Sequence, residues 1–196
     1  SALIRLESDQ ADDNHDYRNI ISDSSGNFRI QSYNTGSFVD QFKIAASGAI
    51  STPTLGSYNV RLGENAGDAI QSTGSSNTLI GDEAGTAITT GDNNVAVGYK
   101  ALEAEDDYGY NVAVGSESLM TLAATSADAY STAVGYQSGK LTDSGLYNTF
   151  VGAQSGRGNT SASNNVGMGN ASLYTNQLGS NNVAIGVQAL NTMNPS

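Results

Sequence analysis

His15, in the stretch DDNHDY, is the only histidine in the 196 residues, and the chain has no cysteine. One imidazole cannot make a histidine metal cluster within a chain, and a chain without thiols has no thiolate site and no disulfide. A Ser–His–Asp triad would have to rest on His15, which sits among polar loop residues, so a solvated side chain is expected there. The dense acids are Asp12 and Asp13, Asp82 and Glu83, and the run Glu103, Glu105, Asp106 and Asp107. Paired carboxylates can hydrolyse glycosides. These fall in expected turns between strands, where solvated acids are far commoner than sites. The run EAEDD also lacks the Gly-spaced Asp pattern of Ca²⁺-binding β-rolls. Recognition is the chemistry left. No carboxylate lies beyond Asp143, and the last third is rich in Asn, Ser and Gly. Amides beside an aromatic ring suit carbohydrate, so Tyr147, Tyr174 and Asn176 are candidate receptor-facing residues, with plain shaft the favoured competing reading. No catalytic, cofactor-binding or metal-binding residue is expected.

Composition narrows the partners. Nineteen Asp and Glu against eight Lys and Arg give a net charge of −11. Phosphate recognition needs clustered cations, so neither nucleic acid nor an anionic membrane surface fits. No apolar run is long enough for a membrane-spanning helix, and no insertion is expected. Hydrophobic residues make up only 38%, with no Trp and 23 Gly. Such a composition borders on disorder, but the apolar residues are too regularly placed for that.

The regularity is an internal repeat. NNVAVGYKAL at 93–102 returns at 181–190 as NNVAIGVQAL, and eight copies of the motif align on Gly63, Gly81, Gly98, Gly115, Gly135, Gly152, Gly169 and Gly186. Successive spacings are 18, 17, 17, 20, 17, 17 and 17 residues. The long one falls in TLAATSADAYS, where a loop can absorb it. Counting each copy from the residue four before its glycine, position one is Asn in seven of eight copies. It suits a strand entry and could stack as a hydrogen-bonded ladder. Position two is Val or Thr, and position four is Val, Ile, Leu or Met. Two residues apart, these share one strand face, expected to point into the core. Position three, most often Ala, would lie on the opposite face, where it either lets another layer approach or faces solvent. Position five is the glycine, a corner. Position eight is always Ala or Ser, so it must be tightly packed. Position nine runs Gly, Gly, Leu, Leu, twice over, an alternation with no evident cause. Stretches such as YKALEA could form one helical turn. The GMGN at 167–170 belongs to the repeat and is not a phosphate loop.

One unit cannot bury its own apolar face, but stacked copies can. The expected fold is therefore all-β: a parallel β-solenoid or β-roll of about eight 17-residue repeats over 56–196, and a rod of about 35 Å at one rung per strand spacing. So thin a core invites a homotrimer that covers the Ala face. Val97→Asp and Val134→Asp should then abolish soluble trimer by burying a charge. Residues 1–55 hold no copy. SSGN (24–27) and NTG (34–36) read as hairpin turns, and Phe28 with Ile30 and Phe42 with Ile44 show period two. The buried face of ALIRLES is ambiguous. A small N-terminal antiparallel β domain is expected to cap the solenoid, joined through STPTLG, where Pro53 breaks pairing.

The motif N-[VT]-A-[VI]-G-x-x-[AS] resembles the head repeats of trimeric autotransporter adhesins, which form parallel β-rolls with three chains per fibre. The period of about 17 residues departs from the shorter adhesin repeat. The longer form is more similar to bacteriophage tail-fibre proteins, often followed by an intramolecular chaperone that trimerises the fibre and cuts itself off; ending on Ser196 is as compatible with a cut of that kind as with a boundary of other origin. The resemblance covers residues 57–191. It implies a virion structural and host-attachment protein, not an enzyme. Its partners would be itself as a homotrimer, a host cell-surface receptor with glycan among the candidates, and other fibre or tail proteins. The alternatives are an adhesin head on a bacterial cell surface and a polysaccharide-degrading tailspike.

Overall fold

A computed structural model describes residues 2–7, 17–34, 37–44, 46–47, 50–51, 56–125 and 127–192. His15, Asp12, Asp13, Pro53 and Ser196 lie outside the described residues. The chain divides into two compact units, residues 1–54 and 55–196.

The first unit is a five-stranded antiparallel meander: β1 (Ala2–Glu7), β2 (Tyr17–Ser22), β3 (Phe28–Asn34), β4 (Ser37–Ile44) and β5 (Ile50–Ser51), paired in chain order. The SSGN turn joins β2 to β3. Asp23 builds it, accepting from the Ser25 and Asn27 backbone N–H groups at 2.9 and 3.0 Å and from the Asn27 amide at 2.9 Å. Those Asn27 bonds, with Arg29 at 3.2 Å, hold the Asp23 carboxyl below its ordinary range. Register aligns one face of β1 with the rest of the sheet, Ile4 pairing with Ile20, Ile20 with Ile30 and Ile30 with Phe42, with Phe28 opposite Ile44 on the same side, while Leu3 and Ile4 are both exposed.

The second unit is a parallel β-solenoid of eight rungs. Its strands are β6 (Val60–Leu62), β7 (Thr78–Ile80), β8 (Val95–Val97), β9 (Val112–Val114), β10 (Thr132–Val134), β11 (Thr149–Val151), β12 (Val166–Met168) and β13 (Val183–Ile185), each paired with its sequence neighbours and aligned motif to motif. The stack spans about 34 Å at roughly 4.8 Å per rung. The turn side pairs upward as well: Gly67 N–H donates to Ala84 O at 2.9 Å and Leu102 N–H to Ser118 O at 2.9 Å. Backbone groups are thus satisfied all around the coil, which allows a thin structure to persist. No helical turn forms in YKALEA. Lys100 and Leu102 take φ of 54° and 53°, so the chain there alternates hand and bends into a corner.

The interior corrects the expected facing. Position three is buried on rungs two to eight, from Leu79, Ala96, Ala113, Ala133 and Phe150 to Gly167 and Ala184. Positions two and four are half-buried or exposed on every rung. The branched columns therefore point outward and the small column inward, opposite to the expectation from hydrophobicity. The physical reason is room. Position eight crosses the same narrow interior, and its Ser118 and Ser138 hydroxyls reach the Ala133 and Phe150 carbonyls, each at 3.0 Å. Position one shares the inward face too. Asn77, Asn94, Asn111, Asn148 and Asn165 are buried. Each stacked oxygen accepts the backbone N–H of the next rung: Asn59 from Asn77 at 2.9 Å, Asn77 from Asn94 at 2.9 Å, Asn148 from Asn165 at 3.0 Å. The amide nitrogens donate to a turn carbonyl, as Asn77 does to Gly91 at 2.8 Å and Asn148 to Ala162 at 2.8 Å. The expected ladder exists, but it runs from side chain to backbone. It continues through Ser131, whose N–H donates to Asn111 Oδ1 at 3.1 Å and whose hydroxyl accepts from Asn148 N–H at 3.3 Å, although Asn111 Nδ2 is left without a partner.

Position nine now has a cause. A Cβ on Gly85 would meet Leu79 Cδ2 at 2.7 Å, and one on Gly139 would meet Leu119 Cδ2 at 2.8 Å and Phe150 Cδ2 at 3.1 Å; Gly156 lies against the Phe150 ring. Glycine stands at nine where a large residue fills position three on the same rung or the next. Leucine stands there where position three is Ala or Gly, as in Ala96 with Leu102, Ala113 with Leu119 and Gly167 with Leu173. The two columns share one fixed volume. Phe150→Ala should cost about 3–5 kcal/mol, and adding Gly156→Leu should restore more than half of it. A thermal-melt double-mutant cycle that gave simple additivity would count against the shared volume.

Candidate functional site

The three residues singled out from sequence separate. Tyr147 is half-exposed, in the corner just before a strand. Tyr174 is partly buried, with the Arg157 guanidinium 5.6 Å from its ring centre. Asn176 is buried and builds its own turn, donating to Gly179 O at 2.7 Å and accepting from Gly179 N–H at 3.0 Å. Its amide is spent on the fold. The eight repeat glycines stand in one line, each over the next, as the register of the strands requires.

Tyr147 does not act alone. Tyr110 and Tyr130 stack at 5.1 Å with 16° between planes, and Tyr130 and Tyr147 at 5.7 Å with 8°. The three occupy the position just before the motif Asn on consecutive rungs. That column turns the chain into the strand, and every member has positive φ: Tyr58, Ser76, Asn93, Tyr110, Tyr130, Tyr147, Asn164 and Asn181. Packing between its neighbours and the adjacent Asp128 carboxylate hold the Tyr130 phenol above its ordinary range. Tyr110 and Tyr130 were missed in the sequence. The available signal was a tyrosine before the motif in three successive copies, YNVAVG, YSTAVG and YNTFVG.

The carboxylates serve the coil. Glu83 and Glu103 grip Lys100 at 2.8 and 2.6 Å, and Glu117 grips Lys140 at 2.5 Å. Lys100 holds the Glu83 carboxyl below its usual range, and Lys140 does the same for Glu117. Asp107 accepts from the Thr89 and Thr90 hydroxyls at 2.7 and 3.0 Å, which lowers it likewise. Among the described residues no three His, Cys, Asp or Glu side chains gather as a metal site would require, and no helix is long and apolar enough to cross a membrane.

Glu105 departs from the solvated loop expected of it. It is fully buried in the inward column that holds Ile70, Ile88 and Leu122 on other rungs. Its carboxylate accepts from the backbone N–H groups of Tyr108 at 3.1 Å and Ala124 at 3.4 Å, tying down the start of the longest inter-repeat loop. Burial pushes it up to about 7 from 4.5, outweighing those bonds. Between these two values the folded chain keeps a proton that the unfolded chain has released, so this group makes stability fall as pH rises from about 4.5 to about 7. The loss is at most about 3 kcal/mol. Glu105→Gln should flatten that slope in urea melts at pH 5 and pH 8; a slope unchanged in the variant would assign it elsewhere.

The outward strand face of the solenoid is apolar. Positions two and four carry no charged side chain on any rung. Val60, Leu62, Val134, Met168, Val183 and Ile185 are exposed, and Tyr99, Tyr136 and Val187 extend the apolar surface past the glycine corner. Searches against protein-family models, curated proteins and solved structures return no match to this chain.

Proposed function

We propose that the chain is a segment of a trimeric attachment fibre of the bacteriophage tail-fibre type, working outside the cell by reach and grip. The observation that carries this reading is the outward face of the solenoid. A single coil leaves two uncharged columns of Val, Thr, Ile, Leu and Met in water over eight rungs. Contiguous apolar surface of that kind marks an interaction site. Copies of the same coil meet it best, because their rungs repeat at the same spacing and neither face brings a charge. Three coils about a common axis would bury all three faces, and the Ala column stays inside each coil. The motif's similarity to phage tail-fibre and adhesin-head repeats points to the same assembly. The rod would hold receptor-binding corners away from the particle, and threefold repetition would raise avidity for a dense surface receptor.

Light scattering tests the assembly. The expected mass is three times the 20.1 kDa of one chain, and the labelled trimer should adhere to cells of a susceptible host. A monomer at micromolar concentration would sink the reading.

A further inference from the structure

We propose that the corner column Tyr110, Tyr130, Tyr147, Asn164 and Asn181 is a binding strip for a neutral glycan chain laid along the coil. This rests on the attachment reading and names the ligand class and the residues that would grip it. The first argument is local. Tyr110, Tyr130 and Tyr147 hold φ of 60°, 46° and 59°. Asn adopts that left-handed region readily, and a bulky side chain does so at a cost. Rungs with Ser76, Asn93, Asn164 or Asn181 at the same corner pair their strands in the same way, so the coil does not need the rings. Three consecutive rungs nonetheless carry the disfavoured residue, each with about half its surface in solvent: 48%, 50% and 50%.

The second argument is chemical. With ring faces turned to one another, the exposed parts are rims bearing phenol hydroxyls, followed in line by the exposed Asn164 and Asn181. A row of hydroxyls and amides on an apolar base offers what a polyhydroxylated chain can bond. Rungs about 4.8 Å apart come close to the length of one pyranose ring along an extended glycan, so one sugar can meet one rung. Charge selects among glycans. The chain carries −11 overall and its last carboxylate is Asp143, so polyanionic chains are repelled while the strip itself beyond Tyr147 is uncharged.

The test uses the whole chain and a graded panel of neutral and acidic oligosaccharides, read by tyrosine fluorescence, since there is no Trp to mask ten Tyr. Neutral oligosaccharides should bind more tightly with length, and acidic ones should not. The triple variant Tyr110→Asn, Tyr130→Asn, Tyr147→Asn should lose affinity at least about tenfold while its melting temperature holds or rises. Wild-type affinity in that variant would overturn the strip. So would a panel with no neutral binder, or a variant that merely melts early while still binding. If labelled trimer still adheres to host cells through any of these, the strip fails and the attachment reading stands; a monomer that adheres to nothing removes the attachment reading itself.

Discussion

Ala113→Asp should leave no folded coil, whereas Val114→Asp, one residue on, should fold. Ala113 is fully buried in the inward column, between Ala96 and Ala133 on the flanking rungs. Of the solenoid's cations only Arg61 belongs to that column, on the first rung and three rungs from Ala113; Lys100, Lys140 and Arg157 stand elsewhere. An unpaired carboxylate there costs several kcal/mol, against a total stability of about 5–15 kcal/mol for an ordinary domain. Val114 points outward and is only half-buried in the single chain, so its carboxylate would reach water. If the outward faces meet in a trimer, Val114→Asp places three like charges in that contact and should yield folded monomer. Circular dichroism and light scattering on the pair separate these outcomes. A soluble, cooperatively melting Ala113→Asp would refute the inward assignment. The same logic revises the expectation for Val97→Asp and Val134→Asp, whose positions share the outward face: they should cost assembly and spare the coil.

Gly135→Ala should destabilise far more than Gly186→Ala. Both glycines take φ in the left-handed half of the map, 134° and 122°. That alone costs any other residue about 1–3 kcal/mol. The difference is what lies above. A Cβ on Gly135 would sit 2.6 Å from the carbonyl carbon and oxygen of Gly152, while one on Gly186 meets nothing within 4 Å. The obstacle is backbone already bonded into the stack, so relief requires parting two rungs. Gly186→Ala should therefore lose about 1–3 kcal/mol, and Gly135→Ala clearly more, enough to lower the melting temperature by well over 10 °C at about 2–4 °C per kcal/mol or more. Equal losses in denaturant melts would show that the column serves φ alone and not the close approach of rungs.

The facing of the strand shows where reading a sequence by hydrophobicity breaks down. In a wide sandwich the branched columns would be the core. Here the coil is so narrow that Ala, Ser, Gly and Asn fill it, and the larger Val and Ile are left outside. Parity held the clue. Position one, a nearly constant Asn, and position three share one face, and the invariant small residue at position eight crosses to meet them. Glu105 was hidden for a similar reason. Amid EAEDD it reads as one more loop acid, and only its alignment with Ile70, Ile88 and Leu122 marks an inward place.

The repeat length, the eight strands, the glycine corners and the stacked asparagines were determined by the residues alone, because each follows from a backbone preference or a period that one unit already expresses. Which face is inside, why Gly and Leu alternate at position nine and that three tyrosines form one stack were decided only by the tertiary structure. These depend on volumes and partners that neighbouring rungs contribute, the stacked tyrosines standing 20 and 17 residues apart along the chain. No single repeat contains that information.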